Sequence, residues 1–155
     1  MEELKKDIVS KNMADEENSF FSFVINSGWL IALNTFATQI PFINLLADSV
    51  EAKKTRYVSL YKDTIYIFKT KGKHKYNGID DDEIIKLNIK DIKSFLINRK
   101  NTPPTEKEIK KRSLIVSIKY SNEQIVGTII PNDESINFIS NLMAKINELN
   151  NQENN

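Results

Sequence analysis

The clearest periodic pattern in the chain lies between Asp133 and Leu149. Apolar residues recur there at intervals of three and four positions, the spacing that places side chains on one face of a helix: Ile136, Ile139, Leu142, Met143, Ile146 and Leu149. Pro131 closes the preceding segment, and Asn132 or Asp133 can cap the helix. The pattern predicts an amphipathic C-terminal helix that packs on an edge or end of a sheet, followed by a disordered tail over 151–155.

The middle of the chain has the β-branched and aromatic residues that are typical of strands. Residues 56–61 and 64–68 flank the polar pair Lys62-Asp63, which favours a hairpin. Similar short runs, separated by small polar turns, follow at 83–89, 92–97, 113–120 and 124–130. This spacing predicts an antiparallel meander or a partly open barrel. With the terminal helix, the predicted fold class is α+β.

The first 50 residues are interpreted as a helical, apolar N-terminal segment. Leu4, Ile8 and Met13 fall roughly on one face of a short helix. From Asn18 to Ala47 no residue is charged. That stretch is long enough to cross a bilayer, which takes about 20 apolar residues, but polar residues interrupt it repeatedly.

Three interpretations of residues 19–47 stay open. The segment forms buried helices with a break near Pro41, or an interfacial or hairpin membrane element, or a partner-binding surface. In the last two cases its aromatic side chains would make the membrane or partner contact: Phe20, Phe21, Phe23, Trp29 and Phe36.

Length and composition exclude several classes of protein. The 155 residues are 40% hydrophobic, enough for one domain with a real core. The absence of Cys excludes disulfides, thiolate nucleophiles and Cys-based zinc sites, and the single His excludes a multi-histidine metal site. Only four Gly occur, and no phosphate-binding glycine loop or nucleophile motif is present. We therefore expect a protein that is not an enzyme and has no cofactor or metal ion.

Charge is segregated along the chain. Residues 1–52 carry three Lys and eight acidic residues, 53–120 carry eighteen Lys and Arg and eight acidic residues, and 121–155 carry one Lys and five acidic residues. A basic middle between acidic ends indicates an anionic partner, or else acidic helices that neutralise a basic sheet. Nucleic acid is the less favoured partner, because no nucleic-acid-binding motif accompanies the charge.

Two basic groups are candidate anion-binding sites. Alternate residues of an extended strand share a face, so lysines at 69, 71, 73 and 75 would form one row able to bind phosphate-bearing headgroups. A second group borders the Pro103-Pro104 loop. For both groups a solvated loop is the alternative interpretation. The candidate anion- or lipid-binding residues are Lys69, Lys71, Lys73, Lys75, Arg99, Lys100, Lys111 and Arg112.

The acidic run Asp80-Asp81-Asp82-Glu83 follows the first basic group. Its carboxylates offer oxygen ligands for calcium or magnesium, but adjacent side chains diverge and the spacing of a calcium loop is missing. The run is better interpreted as a turn that partly neutralises the preceding lysines.

A strand meander closed by one amphipathic helix resembles the pleckstrin-homology-like superfold, especially its bacterial and GRAM-like branches. The resemblance covers about residues 50–150. Residues 58–68 look like the family's opening hairpin, and the later matches are 84–92, 113–130 and the helix at 133–149. The resemblance implies a binding module without catalytic residues, whose ligands include phosphoinositides, other anionic lipids and proteins.

These observations lead to one expected function and one alternative. We expect a PH-like module over residues 51–150 that engages an acidic surface, most directly anionic membrane lipid, in the cytoplasm or peripherally at the inner face of the membrane. The alternative is a protein-interaction adaptor or regulatory partner that uses the aromatic 19–47 segment; formation of a homo-oligomer stays open.

Overall fold

The computed structural model describes residues 1–15, 20–25, 55–72, 75–111 and 113–153. Helix α1 (Glu2–Ser10) comes first, α2 (Glu106–Ile109) lies between two strands, and α3 (Asp133–Glu153) ends the described chain. The described residues form seven strands, which are β1 (Phe21–Ile25), β2 (Thr55–Tyr61), β3 (Thr64–Phe68), β4 (Ile85–Asn88), β5 (Ile92–Ile97), β6 (Leu114–Tyr120) and β7 (Glu123–Ile129). Short 3-10 helices occur at Asp81–Glu83 and Ile89–Asp91.

The strands form one antiparallel sheet in the order β4-β3-β2-β1-β7-β6-β5. Strands β4 and β5 are its two edges, yet only the 3-10 turn Ile89–Asp91 separates them along the chain. Four Cα–Cα steps span at most about 15 Å, so the two edges must approach each other at this corner and the sheet must curl. The prediction of an α+β fold with an open antiparallel sheet is confirmed, and its general shape is PH-like.

The main core fills the inside of the curled sheet. Helix α3 contributes Phe138, Ile139, Leu142, Met143 and Ile146, all at most 4% exposed, and it packs against β1, β5 and the turn Ile89–Asp91. Its predicted apolar stripe is therefore confirmed, with Ile136 and Leu149 partly buried at its margins. Asn132 is the cap, because its side-chain oxygen accepts from the Ser135 N–H at 2.8 Å, and the Ser135 hydroxyl accepts from the Asn132 N–H.

A second core lies on the outer face of β2 and β3. The predicted face of α1 is buried there, with Leu4, Ile8 and Met13 at most 3% exposed. These side chains pack against residues of the sheet and its loops, which include Phe20, Tyr57, Phe68 and Ile79. The Ser59 hydroxyl donates to the Met13 carbonyl at 2.7 Å, which fixes the chain after α1 to the sheet.

The front of the chain contains helix α1, as expected, but Phe21–Ile25 form strand β1, which corrects the helical interpretation for that part of the segment. Strand β1 pairs with β2 on one side and β7 on the other, so the sheet takes a central strand from the front of the chain. A short apolar run has no period that separates a strand from a buried helix, and here the two neighbouring strands decide. The hairpin at 58–68 is accordingly formed by the second and third strands. The rest of 19–47 lies outside the described residues.

The end of the chain differs from the prediction as well. Helix α3 continues to Glu153, three residues into the tail that was expected to be disordered. Residues 151–153 are exposed, so the extension buries little surface and continues the helix begun by the packed stripe.

Candidate functional site

The row of lysines expected along one face of an extended strand does not form. Strand β3 ends at Phe68, and the chain then turns back on itself. The Lys71 N–H donates to the Gly78 carbonyl at 2.8 Å, and the Asn77 N–H donates to the Lys71 carbonyl. Gly72 allows the reversal, because its φ is +94° and a β-carbon there would lie 2.1 Å from the Lys75 carbonyl oxygen. Lys73 lies outside the described residues.

Lys69 belongs to an internal ion-pair network. Its ammonium lies 3.3 Å from Glu83 and 3.9 Å from Asp80, and Glu83 also pairs with Arg56 at 2.8 Å. Arg56 is 4% exposed, and burial lowers the pKa of its guanidinium while Glu83 opposes that shift. Lys69 therefore holds the acidic turn against the sheet instead of facing an external anion.

The acidic run forms the turn that the sequence predicts. Asp81 pairs with Lys11 at 2.9 Å, and this hydrogen bond lowers the pKa of the Asp81 carboxyl and raises that of the Lys11 ammonium. Through these pairs the turn ties α1 and the end of β3 together. Among the described residues, no group of three or more His, Cys, Asp or Glu side chains is arranged to hold a metal ion.

Two of the predicted lysines line one surface cavity of about 190 Å³ between α1 and the reversal after β3. We call it the Lys71–Lys75 hollow; its walls are Met1, Leu4, Tyr57, Thr70, Lys71, Gly72, Lys75 and Tyr76. The Tyr76 hydroxyl donates to Asp7, which fastens the reversal to α1. Burial and this hydrogen bond raise the pKa of Tyr76, so the phenol stays protonated. Lys71 and Lys75 are both exposed.

Two predicted residues of the second basic group line a larger cavity of about 480 Å³ between β5 and the C-terminal half of α3. This cavity, the β5 groove, is lined by Lys93, Ser94, Phe95, Leu96, Arg99, Lys100, Asn101, Thr102, Ile146, Asn147 and Asn150. Three of these residues are cationic and none is acidic. The groove shares no lining residue with the Lys71–Lys75 hollow.

A tight turn after β5 positions Arg99 and Lys100. Asn98 and Arg99 both have positive φ, at 48° and 66°, the backbone conformation of a two-residue hairpin turn. The Ile97 N–H donates to the Lys100 carbonyl at 2.8 Å, and the Asn98 side chain accepts from the Ile115 N–H. The turn is thus fixed from both sides.

The loop beyond this turn is also ordered by local chemistry. Thr105 and Glu108 form a capping box at α2, and Lys100 pairs with Glu108 at 3.1 Å. Hydrogen bonds lower the pKa of the Glu108 carboxyl to about 2. The largest effect comes from the Thr105 N–H, followed by Lys100 and the Thr105 hydroxyl. Lys111 is exposed and lines neither cavity, and Arg112 lies outside the described residues.

Three of the five aromatic contact residues proposed from the sequence are buried, which corrects their assignment as contact residues. Phe21 and Phe23 are 1% exposed in the main core, and Phe20 is 8% exposed in the second core, where its ring meets Tyr57 edge-on. They hold the sheet together and are not available to a membrane or partner. Trp29 and Phe36 lie outside the described residues.

Sequence reasoning did not select Lys93, Met1 or Tyr76 as site residues. Lys93 carried a weak signal, since an exposed lysine in an otherwise apolar strand is typical of a sheet edge. The sequence gives no such signal for Met1 and Tyr76, because their position in the Lys71–Lys75 hollow depends on how α1 packs on the sheet.

No protein-family model matches this chain, and no curated protein matches it in sequence. In the part of the chain that the structure describes, none of the helices has the length and apolar character needed to cross a membrane. The fold and the two basic cavities define a class of α+β module with an open, curled antiparallel sheet.

Proposed function

We propose that this chain is a non-enzymatic, PH-like binding module that attaches to an anionic surface, most directly a membrane leaflet with acidic lipids. One observation carries the proposal: two exposed lysines, Lys71 and Lys75, line the same hollow as Met1, an apolar residue that is 76% exposed. Cationic groups beside an exposed apolar side chain suit a surface with negative headgroups above an apolar interior.

Two carboxylates close to the hollow, those of Asp7 and Asp81, already have partners, while Glu3 is a third carboxylate that acts electrostatically on Tyr76. Asp7 accepts the hydrogen bond from Tyr76, and Asp81 is paired with Lys11. The charge of Lys71 also helps to lower the pKa of Asp81, but the hydrogen bond of that carboxylate goes to Lys11. The ammonium groups of Lys71 and Lys75 therefore stay available to an external phosphate.

Co-sedimentation of the full chain with vesicles tests the proposal. We expect binding to vesicles that contain an acidic phospholipid, none to neutral vesicles, and loss of binding at high salt, because salt screens exposed charges. Two lysines that each contribute about 1 kcal/mol predict a loss of about 30-fold in K71A/K75A.

A matched control is the pair K107A/K110A, which removes two exposed lysines that line neither cavity. It should bind almost as well as the wild type. An equal loss in both pairs would show that net charge alone drives binding, and absence of binding by the wild-type chain would refute the proposal.

The alternative function, a protein-interaction adaptor, loses its expected contacts at Phe20, Phe21 and Phe23, which are buried. A different observation favours it, namely the β5 groove. That cavity opens beside an edge strand and carries cationic side chains with no acidic residue in its lining.

A further inference from the structure

The β5 groove presents unpaired backbone as well as charge. Strand β5 pairs with β6 and is the last strand of the described sheet on that side. The Asn98 N–H donates to the Ile115 carbonyl, and bonding alternates along an antiparallel ladder, so Leu96 also faces β6. The N–H and carbonyl of Phe95 then point away from β6, at the strand edge that borders the groove lined by Phe95.

The neighbouring positions limit how this edge can be used. The Ile97 N–H is taken by the Lys100 carbonyl, and the register shifts between Ile92 and Ser94. A bulge and an exposed lysine are devices that protect an edge from indiscriminate pairing. Lys93 stands at the bulge and is exposed, so an added strand with an acidic side chain at that position gains a charge contact that a neutral or basic strand lacks.

The other residues that line the β5 groove also favour a negatively charged strand. Arg99 and Lys100 stand on the turn after β5, and Lys100 is 58% exposed although it pairs with Glu108. The opposite wall, on α3, carries Asn147, whose side-chain amide donates to the Asn101 carbonyl at 3.3 Å, and Asn150, while Leu96 and Ile146 supply apolar surface. These groups suit an extended chain with a hydrogen-bonding backbone and carboxylate side chains.

We infer that the β5 groove binds an extended acidic peptide segment of a partner protein, which adds to the edge of β5 through the Phe95 backbone. Carboxylates of the segment would meet Lys93, Arg99 and Lys100, which restricts pairing to acidic sequences. The inference goes beyond the proposed function, because the groove shares no lining residue with the Lys71–Lys75 hollow.

The test uses the full chain and two pools of blocked ten-residue peptides. One pool alternates Asp or Glu with Val, Ile or Thr, and the other places Lys at the charged positions. We expect the acidic pool alone to bind, with shifts and slowed hydrogen exchange at the Phe95 amide in NMR spectra. The K93E/R99E variant should weaken binding by about tenfold or more, because favourable charge contacts become repulsive.

The control is K107E/K110E, which reverses two exposed charges outside both cavities and should keep the affinity within about twofold of the wild type. K71E/K75E should also bind the peptides, while its loss of vesicle binding reports on the proposed function separately.

Four results would overturn the inference. They are no binding by the acidic pool, equal binding by the basic pool, signals that move at Lys71 and Lys75 in place of Phe95, and an equal loss in K107E/K110E. A fifth result, displacement of the peptide by inositol phosphate at comparable concentration, would also overturn the inference and assign the groove to a headgroup. Circular dichroism of each variant verifies that the fold is intact.

Discussion

Gly127 shows, at the scale of single residues, how strand β7 makes room for strand β1. A β-carbon at this position would lie 2.2 Å from Cδ2 of Phe23 and 2.9 Å from the Val24 carbonyl oxygen. Phe23 is 1% exposed and has no space to move into without disturbing the main core. The absence of a side chain at Gly127 therefore lets β1 pair with β7.

Replacing Gly127 tests this contact. Gly127→Ala should lower the free energy of unfolding by about 1–3 kcal/mol, the usual effect of overpacking a core. Urea unfolding measures the change. In the double variant G127A/F23L, the loss should be smaller than the sum of the two single losses, because the smaller side chain relieves the clash. A G127A protein as stable as the wild type would contradict the packing of β1 described here.

The capping box of α2 gives a second prediction at this scale, for the titration of Glu108. Its pKa is lowered from 4.5 to about 2, so the ionised carboxylate contributes fully to the stability of the fold above pH 4.5, and this contribution is lost as the pH falls from 4.5 to about 2. The carboxyl ¹³C shift, followed by NMR, should therefore titrate near pH 2.

Two variants separate the causes of the low Glu108 pKa. Thr105→Ala removes the hydroxyl but keeps the backbone N–H, so it should raise the pKa modestly. Thr105→Pro also removes the N–H, and the native φ of −75° accepts proline, so the pKa should rise further toward 4.5. Equal pKa values in the two variants would refute the leading role of the Thr105 N–H.

At the scale of elements, α3 closes the main core with one apolar stripe. Leu142 is 1% exposed, whereas Asn141 beside it is exposed. Leu142→Ala should cost about 2–5 kcal/mol of unfolding free energy, because it removes buried methyl groups and leaves a cavity.

The control for this experiment is Asn141→Ala, which should change the unfolding free energy by no more than about 0.5 kcal/mol. Thermal or urea unfolding compares the two variants. Equal effects would mean that the helix does not pack on the sheet through the predicted stripe.

Some elements could be predicted from sequence, because their own pattern of apolar and polar residues is enough to identify them as helix or strand. The stripe of α3, the Leu4 and Ile8 face of α1 and the hairpin around Lys62-Asp63 all belong to this group. Strand β1 was not predictable, because its apolar run is short and its type depends on β2 and β7, which are distant in sequence.

The candidate sites were predictable only in part, for a similar reason. The sequence shows that Lys69, Lys71 and Lys75 are close along the chain, but the reversal at Gly72 and the pairing of Lys69 with Glu83 depend on three-dimensional packing. Lys93 lines the β5 groove only because α3 lies opposite β5, and the residues next to Lys93 in the sequence do not reveal where α3 packs.

At the scale of the whole molecule, basic residues from the middle of the sequence line two separate cavities. One lies between α1 and the reversal after β3, and the other between β5 and α3. Other basic residues from the same region are internal partners of acidic groups, as Lys69 and Arg56 are of Glu83. The two proposals therefore assign the anionic surface and the acidic peptide to cavities that share no lining residue.

The most direct test of the central claim is the affinity of three proteins for acidic vesicles, measured side by side at low salt. The proteins are the wild type, K71E/K75E and K93E/R99E, and each variant carries two charge reversals. We predict that K71E/K75E loses binding and that K93E/R99E retains most of it, because only the first pair lines the Lys71–Lys75 hollow. Retained binding by K71E/K75E, or equal losses in both variants, would contradict attachment through that hollow.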